Sequence, residues 1–112
     1  MTTITQVLLV PPMQLAASDT AAVYTAPSLT TVKISRAVFC NTTAFAVTIT
    51  AGLTTGGANS ASTTLISARS VAPGETYVSP ELVTTIPAGS TLRAYASAAT
   101  AITFSASGIT IV

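Results

Sequence analysis

The sequence has no histidine, no tryptophan and one cysteine, and only 6% of its 112 residues are charged, against roughly 25% in an ordinary soluble domain. Each shortage excludes a class of chemistry. Without histidine there is no imidazole base, no imidazole metal ligand and no His-activated serine or cysteine nucleophile. A lone Cys40 can make neither an internal disulfide nor a cysteine zinc site. Four cations (Lys33, Arg36, Arg69, Arg93) and three carboxylates (Asp19, Glu75, Glu81) leave a net charge of +1, too small a basic footprint for a nucleic-acid partner. Long apolar runs are also missing. Val7-Leu8-Leu9-Val10 stops at Pro11-Pro12, and no basic residue precedes it. A leader peptide or a membrane span needs a longer stretch, so a cytoplasmically made chain with no membrane partner and a reduced Cys40 is expected.

What the chain has instead is 22 Thr, 20 Ala and 12 Ser, with 49% hydrophobic residues and a mean hydropathy of +0.68, well outside the disordered range. Thr, Val and Ile branch at Cβ and suit a pleated surface. From Thr30 to Cys40, Val32, Ile34, Val38 and Cys40 share one parity, which puts Cys40 inward as an inert thiol, and Arg36 interrupts the pattern. Asn41-Thr42-Thr43 reads as a turn into a second strand carrying Phe45, Val47 and Ile49, and the two runs predict a hairpin. Gly52–Ser62 is a long Gly-rich loop of the kind that often makes contacts. Thr63–Val71 resumes a strand.

Ala72-Pro73-Gly74-Glu75 and Pro87-Ala88-Gly89-Ser90 predict type II turns. Ser79-Pro80-Glu81-Leu82 between them carries a helix-start signal with room for one turn. Leu92, Ala94 and Ala96 alternate inward, as do Ile102, Phe104 and Ala106, and a parity flip to Ile109 and Ile111 beside Gly108 predicts a β-bulge. At the other end, a short strand is expected over Ala21–Thr25. Seven or eight short strands with turn signals every 8–12 residues make this all-β: a small antiparallel β-sandwich, jelly-roll or immunoglobulin-like. The sandwich is expected over 15–112, behind an extended N-terminal arm over 1–14 whose apolar residues find no partner within their own segment.

Candidate chemistry is sparse. Glu75 and Glu81 are the carboxylates nearest in sequence, but a turn and a helix cap both favour acids for structural reasons. Tyr24, Tyr77 and Tyr95 are dispersed, without the basic cluster of a base-stacking platform, and read as core edges or interface anchors. No catalytic residue, metal ligand or cofactor site is expected. The chain reads as a part that covers and joins surfaces, with Ile4, Val7, Leu8, Leu9 and Val10 of the arm as its partner contacts.

In order, the segments VYTAP (23–27), AVFCNTTAFAVTIT (37–50), SVAPGETYVSPELV (70–83) and IPAGSTLRAYAS (86–97) resemble a group of small virion proteins of tailed bacteriophages. The resemblance spans about residues 15–112. It implies a β-sandwich with a structural role in the particle, not an enzyme. The favoured role is a capsid decoration (cement) protein, a homo-oligomer with a trimer favoured, bound to the major capsid protein and assembled into virions in the bacterial cytoplasm. The alternative it implies is a tail fibre or baseplate module that binds a receptor or glycan through the 52–62 loop.

Overall fold

A computed structural model describes residues 3–19, 22–60 and 62–112. Residues 1 and 2 of the expected arm, Ala21 of the expected short strand and Ala61 of the Gly-rich loop lie outside the described residues. The described residues form nine strands and no helix: β1 (Ile4–Gln14), β2 (Tyr24–Thr25), β3 (Thr31–Asn41), β4 (Val47–Thr54), β5 (Thr64–Val71), β6 (Thr76–Val78), β7 (Thr85–Ile86), β8 (Thr91–Ala96) and β9 (Ile102–Ile111). All neighbouring strands are antiparallel. One sheet runs β1-β9-β3-β6, with β7 also on β3; the other runs β2-β8-β4-β5. The chain is thus one long hairpin of strand pairs (β4 with β5, β3 with β6, β2 with β8, β1 with β9) rolled so that alternate pairs fall in opposite sheets. Of the two expected sandwich types, this order is the jelly roll.

The core follows the alternation read from the regular strands. Ile102, Phe104 and Ala106 of β9 and Leu92, Ala94 and Ala96 of β8 are buried between the sheets. Phe39 and Phe104 meet with ring centroids 4.8 Å apart. Both expected turns form: Glu75 N–H donates to Ala72 O at 3.0 Å and Ser90 N–H to Pro87 O at 3.0 Å, with φ at Gly74 of +72° and at Gly89 of +81°. Between them Ser79 Oγ accepts the Leu82 N–H at 3.3 Å, and the helix signal yields a single capped turn.

Three readings are corrected. The hairpin expected of β3 and β4 does not exist, because the two strands lie in different sheets and residues 42–46 cross between them. The crossing is organised by the Asn41 side chain, which is fully buried. Its Nδ2 donates to Phe45 O at 2.7 Å and Val71 O at 2.9 Å, while its Oδ1 accepts from Thr43 N at 2.9 Å and Thr43 Oγ1 at 2.7 Å.

The inward and outward faces of β3 and β9 also differ from the alternation expected. The bulge lies on β3, where Ile34 faces Gly108 and Arg36 faces Ser107, leaving Ser35 as the extra residue. One inserted residue exchanges the two faces of a strand. Ala37 and Phe39 therefore point inward beyond it, and Cys40 is only half-buried. On β9 the inward parity runs on through Gly108, so Ile109 and Ile111 come out on the opposite face.

The third is the N-terminal segment. Residues 4–14 are extended as expected, but they have a partner in the chain: they pair along their length with β9 as an edge of the sandwich. Pro11-Pro12, read as a stop, is passed by the second of two bulges, between Val10 opposite Ala106 and Met13 opposite Phe104. An edge strand or a bulge is where a missing N–H is tolerated.

Candidate interaction surface

The outward face of the β1-β9-β3 sheet is built row by row from its register. Ile4, Ile111 and Thr31 lie side by side, and the next row holds Gln6, Ile109 and Lys33. Directly paired residues share a face, so Ile4, Ile109 and Ile111 form one apolar patch that the second sheet does not cover. Leu8 extends it from the first β1 bulge. Among the described residues the charges on this face are Lys33 and Arg36, both on β3.

Beside the patch the sheet is dented. The β1 bulge and the β3 bulge flank Gly108, and an open groove of about 390 Å³ lies over it, lined by Gln6, Val7, Leu8, Ser35, Ser107 and Ile109. Gly108 is required here, since a Cβ would collide with the Lys33 carbonyl oxygen and come within 3.0 Å of Ile34 Cα.

The five residues expected to touch a partner divide. Ile4 is 64% exposed, Leu8 54% and Val7 39%, whereas Leu9 and Val10 are buried in the sandwich core. Ile109 and Ile111 complete the patch and were missed, because their alternation reads as an inward flip unless the bulge is assigned to the facing strand.

The remaining candidate groups are engaged in holding the fold. Glu75 Oε1 accepts the Ala72 N–H at 2.8 Å within its own turn. Glu81 accepts from Tyr77 Oη at 2.5 Å and Ser79 Oγ at 3.1 Å, and the Arg69 guanidinium sits 3.9 Å over the Tyr77 ring. This cluster joins β5 of one sheet to β6 of the other. Asp19 bonds Arg93 Nε at 2.8 Å and the Asn59 N–H at 2.6 Å, tying the 52–62 loop to β8. Further hydrogen bonds, from Thr54 to Gly57 and between Asn59 and Thr63, fold the loop on itself. Among the described residues no three His, Cys, Asp or Glu side chains gather as a metal site, and no helix is long and apolar enough to cross a membrane.

The Tyr77–Glu81 contact has a measurable consequence. Burial, then the Glu81 hydrogen bond and charge, push the Tyr77 phenol above its ordinary range, while the Tyr77 hydrogen bond holds the Glu81 carboxyl below the usual carboxylate value. A raised phenol stabilises the fold fully below the unfolded pKa near 10, and that contribution is lost as pH rises through the folded value. The lowered carboxylate contributes above its unfolded pKa, and its contribution is lost as pH falls through the folded one. In an ultraviolet titration Glu81→Gln is expected to move the Tyr77 midpoint down; an unmoved midpoint would remove the Glu81 contribution.

No family model matches the chain, and no curated protein does. Solved structures do. A chain in the structure of the infectious bursal disease virus Gx strain superposes with a TM-score of 0.50 at 16% identity, covering 99% of this chain and 32% of its own. A chain of the VP2 subviral particle of infectious bursal disease virus matches with a TM-score of 0.47 at 16% identity, over 98% of this chain and 32% of that one. The fold is shared. This chain spans about a third of the length of those chains, and at this identity the first likeness establishes the β-sandwich alone.

Proposed function

We propose that the chain is a structural component of a virus particle: a capsid decoration (cement) protein of a tailed bacteriophage that binds the major capsid protein through the outward face of its β1-β9-β3 sheet. The observation that carries the reading is the patch of exposed Ile4 and Leu8 with half-buried Ile109 and Ile111 on the outward sheet face of a chain so poor in charge. Covering such residues is worth roughly 1.5–3 kcal/mol per side chain, so a few of them on many copies hold a shell together without chemistry. The viral source of the first structural neighbour supports the coarser part, a virion role. The phage part rests on the ordered segments from VYTAP to AGSTLRAYAS, and the capsid-surface part on the small size, the low charge and the apolar patch. Engagement of Glu75 and Glu81 in local hydrogen bonds supports a non-enzymatic role.

Removing the N-terminal segment is a poor test, because Val10 belongs to the core. Ile109→Glu is better: the new carboxylate lies opposite Lys33 and leaves the core untouched. In co-sedimentation with particles that lack the protein, wild type is expected to bind saturably, and Ile109→Glu to bind roughly tenfold or more weakly, as the loss of one buried apolar side chain predicts. Equal occupancy by the variant would overturn this choice of face.

A further inference from the structure

We propose that the N-terminal half of β1, Ile4–Leu8, is a self-pairing edge that joins two copies of the chain antiparallel about a twofold axis at Gln6. The inference goes beyond the virion reading and does not depend on it.

A bare sheet edge invites another strand, and folded proteins blunt their edges with charge, bulges, proline or brevity. Three edges here are blunted. On β5, Ala68 sits at φ +47° in a bulge beside the exposed Arg69. The other edge of the first sheet is divided between the three residues of β6 and the two of β7, and β2 has two residues. The second half of β1 carries Pro11 and Pro12. Its first half, Ile4-Thr5-Gln6-Val7-Leu8, has no proline and no charge, and its register stays regular from Ile4 to Val7, the bulge beginning only at Leu8.

Hydrogen-bond parity opens this stretch outward. Thr3 and Val112 exchange both backbone bonds, at 3.0 and 2.9 Å, which makes them a hydrogen-bonded pair. Alternation then assigns Thr5 with Thr110 and Val7 with Gly108 to the same class. Ile4 and Gln6 accordingly turn their N–H and C=O groups toward the outer edge, which no other described residue pairs with.

The occupant follows from the side-chain order, which complements itself. With Gln6 facing Gln6 of a second copy, Ile4 lies opposite Leu8 and Thr5 opposite Val7. In that register Ile4 and Gln6 present their edge-facing groups across the axis, the glutamine amides can bond each other there, and the exposed Ile4 and Leu8 side chains pair. An uncharged strand meets its own copy without repulsion, and a twofold contact closes rather than forming a filament. A ladder this short is small against a standard interface, so the dimer is expected to dissociate on dilution.

Sedimentation over a micromolar-to-millimolar series tests the proposal. The wild-type mass is expected to rise from 11.2 kDa toward twice that value. Gln6→Lys and Gln6→Glu are each expected to stay monomeric with unchanged circular dichroism, and an equimolar mixture of the two to regain the dimer, because opposite charges then face each other at the axis. A wild type monomeric throughout, or association that Gln6→Lys leaves intact, would overturn the proposal. Should the charged variants unfold, Gln6→Cys in a Cys40→Ser background decides. Residues facing in a hydrogen-bonded pair lie within disulfide reach, so air oxidation is expected to cross-link this variant and leave Thr5→Cys in the same background uncrossed; the reverse result contradicts the register.

Discussion

Asn41→Asp is expected to destabilise the sandwich by about 3 kcal/mol or more at neutral pH, a large fraction of the roughly 5–15 kcal/mol that holds a domain folded. The change is nearly isosteric, so packing is not the cause. The wild-type Nδ2 donates to two carbonyl oxygens, those of Phe45 and Val71. An aspartate replaces that donor with a second anionic oxygen aimed at the same carbonyls, in a site closed to water. The damage would spread, because the Asn41 backbone also bonds Glu75 and Gly74 of the following turn, at 2.9 and 3.0 Å. Strand β3, the crossing at 42–46, the end of β5 and the 72–75 turn all meet at this residue.

The variant's pH dependence has a definite sign. Burial beside carbonyls raises the aspartate's folded pKa above its unfolded value, so the folded state holds the proton more tightly and stability is regained as pH falls through the folded value. Urea denaturation at pH 7 and at pH 4 should show a loss that shrinks in acid. A loss of the same size at both values would mean that the amide's shape, and not its donor, is what matters.

Gly108→Ala is the second large effect. One methyl group would be driven into the Lys33 carbonyl oxygen and against Ile34 Cα. Both are backbone atoms of the neighbouring strand, which cannot rotate aside as a side chain would. Overpacking a tight site costs about 1–3 kcal/mol and more where backbone must move, so a cost of about 3 kcal/mol is expected in chemical denaturation. β3 can yield only by opening its bulge at Ser35, so the groove over Gly108 should deform together with the loss. A fully stable Gly108→Ala would show that β3 and β9 are not packed this closely.

The regular parts of the fold were legible in the sequence. Leu92-Ala94-Ala96 and Ile102-Phe104-Ala106 alternate without interruption, and both Gly-containing turns announce themselves by residue type. Legibility failed wherever one residue was added to a strand. The extra Ser35 exchanged the faces of β3, so Phe39 went inward, Cys40 came partly out, and the outward direction of Ile109 and Ile111 was concealed. Alternation reports two-residue periodicity within a strand and carries no information about which sheet the next strand joins. The β3–β4 crossing was therefore indistinguishable from a hairpin, and the deciding bonds come from Asn41, a residue type that suits turns equally well. Pro11-Pro12 misled for a related reason: proline excludes a central strand but not a bulged edge.

The candidate surface was half legible. Ile4, Val7 and Leu8 were identified from an apolar segment without an evident partner, while Leu9 and Val10 in the same run fill the core. Several residues in the segments that resemble phage virion proteins prove to be framework: Asn41, the Pro73-Gly74-Glu75 turn and the Ser79–Glu81 cap. Such residues specify how the chain rolls up. The apolar residues of the outward patch lie largely outside those segments, on β1 and the end of β9.

A decoration protein that binds through its β1-β9-β3 face must sit in the particle with that face turned to the shell. A density map of the virion that carries this chain, fitted with the sandwich, is the most direct measurement. The expected result is a copy on the outside of the shell with the sheet face bearing Ile109 and Ile111 turned against capsid subunits. A virion without this density, or a copy whose β1-β9-β3 face looks out into solvent, would contradict it.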